Sequence, residues 1–216
     1  MRSARPVRRA LRVVALLAGA GLLLGGCGDT ATSTTARETQ TQQSGSPAGS
    51  ATAEDSATTA AALPPCPRLD RAEPRDDGLP PLELDCLGPG PAVRLSDLRG
   101  VPMVLNVWAA WCTNCDREMP LLAEVQERAG DRLRFFGIHY KAARDHGLQS
   151  AADFGVTFPS VHDEDGDRVV AKLRAVAPPQ TLFVTADGRV AGRKIGEITS
   201  AAELESLVHE HLGVRL

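Results

Sequence analysis

The chain has 216 residues, 24% of them charged and 43% hydrophobic, which leaves room for one globular domain of ordinary size plus appendages. Five arginines sit in the first 26 residues, so the remainder carries 19 basic against 27 acidic residues, a net charge of about −8. A surface of that sign offers no electrostatic footprint for nucleic acid and excludes that class of partner.

The first segment, residues 1–26, reads as an export signal. Arg2, Arg5, Arg8, Arg9 and Arg12 form a basic head, and an apolar run follows from Val13 to Leu24. That run of about twelve residues is short for a span of roughly 20 and suits a signal core. It ends in Leu24-Gly25-Gly26-Cys27, which resembles the bacterial lipobox. The resemblance implies cleavage before Cys27, a diacylglycerol on its thiol, and a lipid anchor on the extracytoplasmic face of the cell membrane. An uncleaved signal anchor is the alternative. Arg8-Arg9 also fits a twin-arginine signal, a pattern that arginine-rich heads match easily.

Residues 27–62 are the candidate lipidated cysteine and a linker. From Gly28 to Ala62 the composition is Ser, Thr, Ala, Gln and Gly with almost no large apolar side chain. Such a segment buries too little surface to offset its ordering entropy and is expected to act as a tether.

Residues 63–216 are expected to fold. Five cysteines is an odd number for an exported chain; lipidating Cys27 leaves four. Cys112 and Cys115 form a C-x-x-C, and Cys66 and Cys86 remain. Outside the cytosol two such cysteines usually pair as a structural disulfide, closing a loop of about twenty residues with roughly 3 kcal/mol of stabilisation. Two free thiols, or a relay to the C-x-x-C, are the other readings.

In chain order, Ala92–Leu95 predicts a short strand and Met103–Ala109 a buried central strand, being nearly continuously apolar. Cys112 to about Arg128 predicts a helix, with Met119, Leu122, Val125 and Ala129 at helical spacing. Leu133–His139 predicts the next buried strand, Gln149–Phe154 a short helix and Asp167–Leu173 another. Gln180–Thr185 and Arg189–Ile195 predict a hairpin across Ala186-Asp187-Gly188. The final helix opens on the capping box Ser200-Ala201-Ala202-Glu203, buries Leu204, Leu207, Val208 and Leu212, and ends at Gly213. Strands first separated by helices and later joined in a hairpin imply an α/β fold with a central mixed sheet flanked by helices.

Trp111-Cys112-Thr113-Asn114-Cys115 falls where a buried strand gives way to a helix. There the unpaired N–H groups and the helix dipole stabilise a thiolate, and the three-residue step puts both sulfurs on one face. Cys112 is the expected exposed nucleophile and Cys115 the shielded resolving thiol. The competing reading is half a zinc site, which needs two more ligands. No second C-x-x-C exists, and His139, His146, His162, His209 and His211 have no metal-site spacing. No metal and no cofactor beyond a redox-active Cys112–Cys115 disulfide is expected.

The run from Asn106 to Pro120 resembles the active-site segment of thioredoxin-like proteins, and most nearly the membrane-tethered TlpA/ResA-like branch. The resemblance covers roughly Leu82 to Leu212. It rests on W-C-x-x-C, on Pro120 five residues after Cys115, and on a later Pro before a strand. It implies a thioredoxin-like fold and thiol–disulfide exchange with the dithiols or disulfides of exported proteins. Cytochrome c maturation is one suggested setting, with a membrane redox partner upstream.

Position by position, the resemblance makes Trp111 the tryptophan that shields the disulfide and Pro120 the kink of the active-site helix. Ala177-Pro178-Pro179-Gln180-Thr181 matches the late loop, with Pro179 in cis and the backbone of Pro178 open to an extended substrate; an ordinary trans proline at a strand start is the alternative.

Two departures stand out. Asn106 occupies the position of the buried acid found in cytosolic thioredoxins, so another group or water must manage the proton on Cys115. Glu118, acidic and near in sequence, reads as a solvated helix residue, with the management of that proton as its alternative role. Thr113 and Asn114 replace the Gly-Pro common between the cysteines and tune thiolate stability in a direction the sequence does not set.

The remaining motifs are bland. Asp163-Glu164-Asp165-Gly166-Asp167 departs from a calcium loop at its Gly and its twelfth position, and reads as a solvated turn. His209 and His211 read as surface. A thiol peroxidase is disfavoured because Pro-x-x-x-Thr-x-x-Cys is missing, and a copper chaperone because there is no wider Cys spacing with a partnering His.

Overall fold

A computed structural model describes residues 63–216. The export segment 1–26, Cys27 and the linker to residue 62 lie outside the described residues.

Seven strands form one mixed sheet. In chain order the elements are β1 Glu83–Cys86, β2 Val93–Arg94, β3 Met103–Trp108, α1 Thr113–Ala129, β4 Arg134–Tyr140 and α2 Arg144–Asp153. They continue with β5 Ser160–Asp163, α3 Asp167–Leu173, β6 Gln180–Val184, β7 Val190–Ile195 and α4 Ala201–Leu212. The strand order is β2-β1-β5-β4-β3-β6-β7. β3, β4 and β5 run parallel, and β6 lies antiparallel beside β3. Every residue of β3 is buried, as a strand covered on both faces requires. This is the mixed sheet flanked by helices that the alternation implied, in the thioredoxin-like arrangement that the resemblance implied.

β2 is shorter than Ala92–Leu95, and two strands have no counterpart in the expected elements. β1 alternates charged and apolar residues, outward and inward, over only four positions. β5 reads Ser-Val-His-Asp yet is buried throughout, because it lies between β1 and β4. α2 begins five residues before the expected Gln149. Only Gly147 and Ala151 of it are buried, so its first turns carry no apolar stripe to read.

A disulfide joins Cys66 to Cys86, with Cα atoms 5.9 Å apart. Both residues are buried, and Cys66 N–H donates to the Pro89 carbonyl, so the Pro-rich entry segment is fastened to β1. Asp163 does not sit in a solvated turn. It is 2% exposed, its Oδ2 accepts from Val169 N–H at 2.8 Å, and Arg168 Nε donates to its Oδ1 at 3.0 Å. It thus satisfies an unpaired amide in the first turn of α3.

Candidate active site

β3 is buried along its whole length and ends at Trp108; four residues later Cys112 caps the start of α1. Cys112 is the N-cap, with extended backbone and its Sγ accepting from Cys115 N–H at 3.1 Å. The side chain that Ser or Asp would supply at such a position is here a sulfur, so a first-turn amide, shared with the Cys112 carbonyl at 3.0 Å, points at the reactive atom. The Sγ atoms of Cys112 and Cys115 are joined, with Cα atoms 5.2 Å apart.

Cys115 is 0% exposed and Cys112 only 6%. The asymmetry has the expected direction, but in the disulfide form Cys112 is less open than an exposed nucleophile. The bond to buried Cys115, together with the cap contact to Cys115 N–H, holds its sulfur against the first turn.

Around the pair, Trp111 is 56% exposed and its Nε1 donates to the Lys141 carbonyl at 2.9 Å, tying the loop before α1 to the end of β4. Thr113 and Asn114 are both exposed. Asn114 Oδ1 accepts from Arg117 at 2.7 Å. The Pro178–Pro179 peptide is cis. Gln180 pairs with Val107, which brings Pro179 to the end of the sheet where β3 runs toward Cys112. Pro120 lies inside α1.

Glu118 overturns its reading as a solvated helix residue. It is 0% exposed, its Oε1 accepts from Asn106 Nδ2 at 2.8 Å, and its Oε2 accepts from Ile198 N–H at 3.0 Å. Asn106 Nδ2 also donates to Thr181 Oγ1 at 3.2 Å. Burial pushes the Glu118 carboxyl up to about 7; the bonds from Ile198 and Asn106 oppose this, and the charges of Glu197 and Glu203 add to it. The acid missing from position 106 is therefore present one hydrogen bond away. The signal was in the sequence: Cys115, Glu118, Met119, Leu122 and Val125 form one helical stripe, and all five are buried.

The histidines also differ from their spacing. His139 and His162, 23 residues apart, stand opposite each other on β4 and β5, with Nδ1 atoms 3.0 Å apart and rings stacked. Trp108 packs on His139 at a centroid distance of 4.7 Å. Burial, then His162 and His146, push the His139 imidazolium down to about 3. His209 is exposed, while His211 is half-buried against Phe183. Among the described residues no three His, Cys, Asp or Glu side chains come together to hold a metal. A groove of about 1140 Å³ passes Pro65, Pro120 and Phe136 but includes neither Cys112 nor Cys115, so the chemistry is placed by the sulfurs and not by the cavity.

The arrangement is a sulfur pair at a helix N-terminus with one raised carboxyl on the same helix face. The model of the AhpC/TSA family matches residues 76–193, more than half of the chain. The chain is 32% identical to the thiol:disulfide interchange protein DsbE of Pseudomonas fluorescens biotype C, over 53% of this chain and 67% of that one. It is also 32% identical to the thiol-disulfide oxidoreductase ResA of Oceanobacillus iheyensis, over 45% of this chain and 51% of that one. The match thus spans about half to two thirds of these relatives' own length. A secreted Mycobacterium tuberculosis disulfide oxidoreductase homologous to E. coli DsbE superposes with a TM-score of 0.50 and 25% identity, over 60% of this chain and 96% of that one. The chain belongs to the AhpC/TSA family, and within it to the thioredoxin-like thiol–disulfide oxidoreductases of the TlpA/ResA type.

Proposed function

We propose that this protein exchanges disulfides with exported proteins outside the cytoplasmic membrane, through Cys112 as attacking and Cys115 as resolving thiol. The observation that carries this is the cap: Cys112 Sγ faces a helix amide, while Cys115, its disulfide partner, is wholly buried.

In the dithiol form, Cys112 loses its proton readily because the α1 N-terminus stabilises the anion. The thiolate attacks one sulfur of a substrate disulfide, forming a mixed disulfide and releasing a substrate thiolate that takes a proton. Cys115 then gives up its proton, attacks Cys112 Sγ, and expels the second substrate thiolate, which is protonated in turn. Two electrons and two protons have passed from the protein dithiol to the substrate. The same atoms run the reverse reaction when the substrate is a dithiol. Glu118, its carboxyl pushed up to about 7, is the group suited to hold the Cys115 proton near neutral pH. We assign Trp111 and the Pro178 backbone, on the family resemblance, to the surface that receives an extended substrate chain.

Replacing Cys112 by Ser abolishes exchange with a dithiol substrate. Replacing Cys115 by Ser leaves a mixed disulfide that can be isolated and its partner named by mass spectrometry, an apocytochrome c or a membrane redox protein among the candidates. Undiminished exchange by the Cys112→Ser protein would falsify the mechanism. The location outside the membrane is supported by the segment ending in Cys27 and by the Cys66–Cys86 disulfide, a bond suited to an oxidising compartment. Metabolic labelling with palmitate that persists in a Cys27→Ser chain would remove the proposed lipid anchor.

A further inference from the structure

Two adjacent residues of α1 grip two adjacent residues of the loop after β7. Inside, Glu118 accepts from Ile198 N–H. Outside, Arg117 lays its guanidinium on Glu197, with Nε on Oε1 at 2.9 Å and Nη2 on Oε2 at 2.6 Å. The same Nη2 donates to Asn114 Oδ1 at 2.7 Å. The guanidinium is thus fixed from two sides, by a carboxylate from the far loop and by the amide of a residue that stands between the two cysteines.

This placement is poor for helix stability. A cation near the N-terminal end of α1 opposes the dipole, and an ion pair with Arg117 half exposed adds little to folding in water. It is, however, held by Asn114 in the first turn of the helix whose N-terminal end Cys112 caps. A positive charge held there stabilises the Cys112 thiolate, and a negative charge beside it takes part of that effect away.

We propose that Arg117, fastened to Asn114 and balanced by Glu197, is a positioning residue that sets how readily the Cys112–Cys115 disulfide is reduced. This deepens the exchange reading and rests on it. The other charges of this region stay constant in the test: Asp116 and Glu118 on α1, the Lys194–Glu203 pair of β7 and α4, and Lys141 beyond Trp111. A stabilised thiolate favours the reduced form and makes the disulfide the stronger oxidant. The two members of the pair therefore act with opposite sign. Removing the Arg117 charge raises the Cys112 thiol and favours the disulfide; removing the Glu197 charge lowers the thiol and favours the dithiol.

The test is the equilibrium of the purified full chain with reduced and oxidised glutathione, read by alkylation and mass, together with the pH profile of Cys112 alkylation. Arg117→Gln should shift the equilibrium about threefold toward the disulfide, and Glu197→Gln about threefold toward the dithiol, given charges acting through partly wet surroundings. Arg117→Lys, which keeps the charge but loses the fork, should fall between wild type and Arg117→Gln. Shifts of the same sign in the Gln variants, or equilibria and alkylation profiles indistinguishable from wild type, overturn the proposal and leave an ordinary surface ion pair. A wild-type chain that does not equilibrate with glutathione instead overturns the exchange reading itself.

Discussion

Glu118 Oε1 and Asn106 Nδ2 lie 2.8 Å apart beneath the disulfide-bearing helix, and both residues are buried. Among the described residues the carboxyl has two hydrogen-bond donors, Asn106 and Ile198, and no salt-bridge partner. Desolvation therefore outweighs hydrogen bonding, and the acid titrates about 7 instead of 4.5.

That shift has a sign in stability. An acid whose folded pKa is raised costs nothing below its unfolded value and penalises the fold increasingly as pH rises from 4.5 through 7. Across the window the cost approaches about 3 kcal/mol. Urea unfolding of the oxidised protein at pH 5 and pH 8 checks it. Glu118→Gln should lose less stability than wild type between those two pH values, whatever its absolute stability. An identical pH dependence in both proteins would show that the carboxyl titrates normally.

The Cys66–Cys86 bridge closes a separation of 20 residues and holds the entry segment against β1 and β5. Replacing both cysteines by Ala should cost about 3 kcal/mol in denaturant unfolding. Glutathione exchange at Cys112 and Cys115 should persist in the variant under conditions where it stays folded. A loss of exchange with folding intact would mean that the first pair relays electrons to the second.

Asp163 supplies a third test. Its carboxylate meets Val169 N–H and Arg168 from a buried position. Asp163→Ala removes both and should destabilise the protein by about 1–2 kcal/mol, as the loss of a helix cap does. A change within error of zero in urea unfolding would return Asp163–Asp167 to the status of a solvated turn.

The parts of this fold written in local pattern were legible in the sequence. Met103–Trp108 is apolar almost without a break, the Asp187-Gly188 turn joins β6 to β7, and Ser200 caps α4 through Glu203 N–H at 3.1 Å. What escaped was set by neighbours distant in the chain. β5 is a strand only because β1 and β4 flank it, and its His and Asp are buried by that placement. At the site, Cys112, Cys115 and the Pro178–Pro179 loop could be read from motif. Glu118 could not be read from its chemical type, because a charged residue on a helix is usually solvated. Its position on the Cys115 stripe held the information that residue type concealed. The His139–His162 contact had no local trace at all, since register between parallel strands brings them together.

That pair gives a prediction with the opposite sign to Glu118. His139 is buried among Trp108, His162 and Gly147, and its imidazole resists protonation down to about 3 against an ordinary value of 6.5. The unfolded chain takes up a proton below 6.5 that the folded chain does not, so folded stability falls as pH drops from 6.5 toward 3. By pH 4 the loss should reach about 3 kcal/mol. A His139→Phe protein keeps an aromatic ring against Trp108 but has nothing to titrate there. It should be less stable than wild type at pH 7, because His162 Nδ1 loses its partner. It should also unfold with a shallower acid dependence between pH 6.5 and 4. Denaturant curves at those two values decide the matter: equal slopes in the two proteins would mean that the His139–His162 contact opens and takes up its proton in the native state.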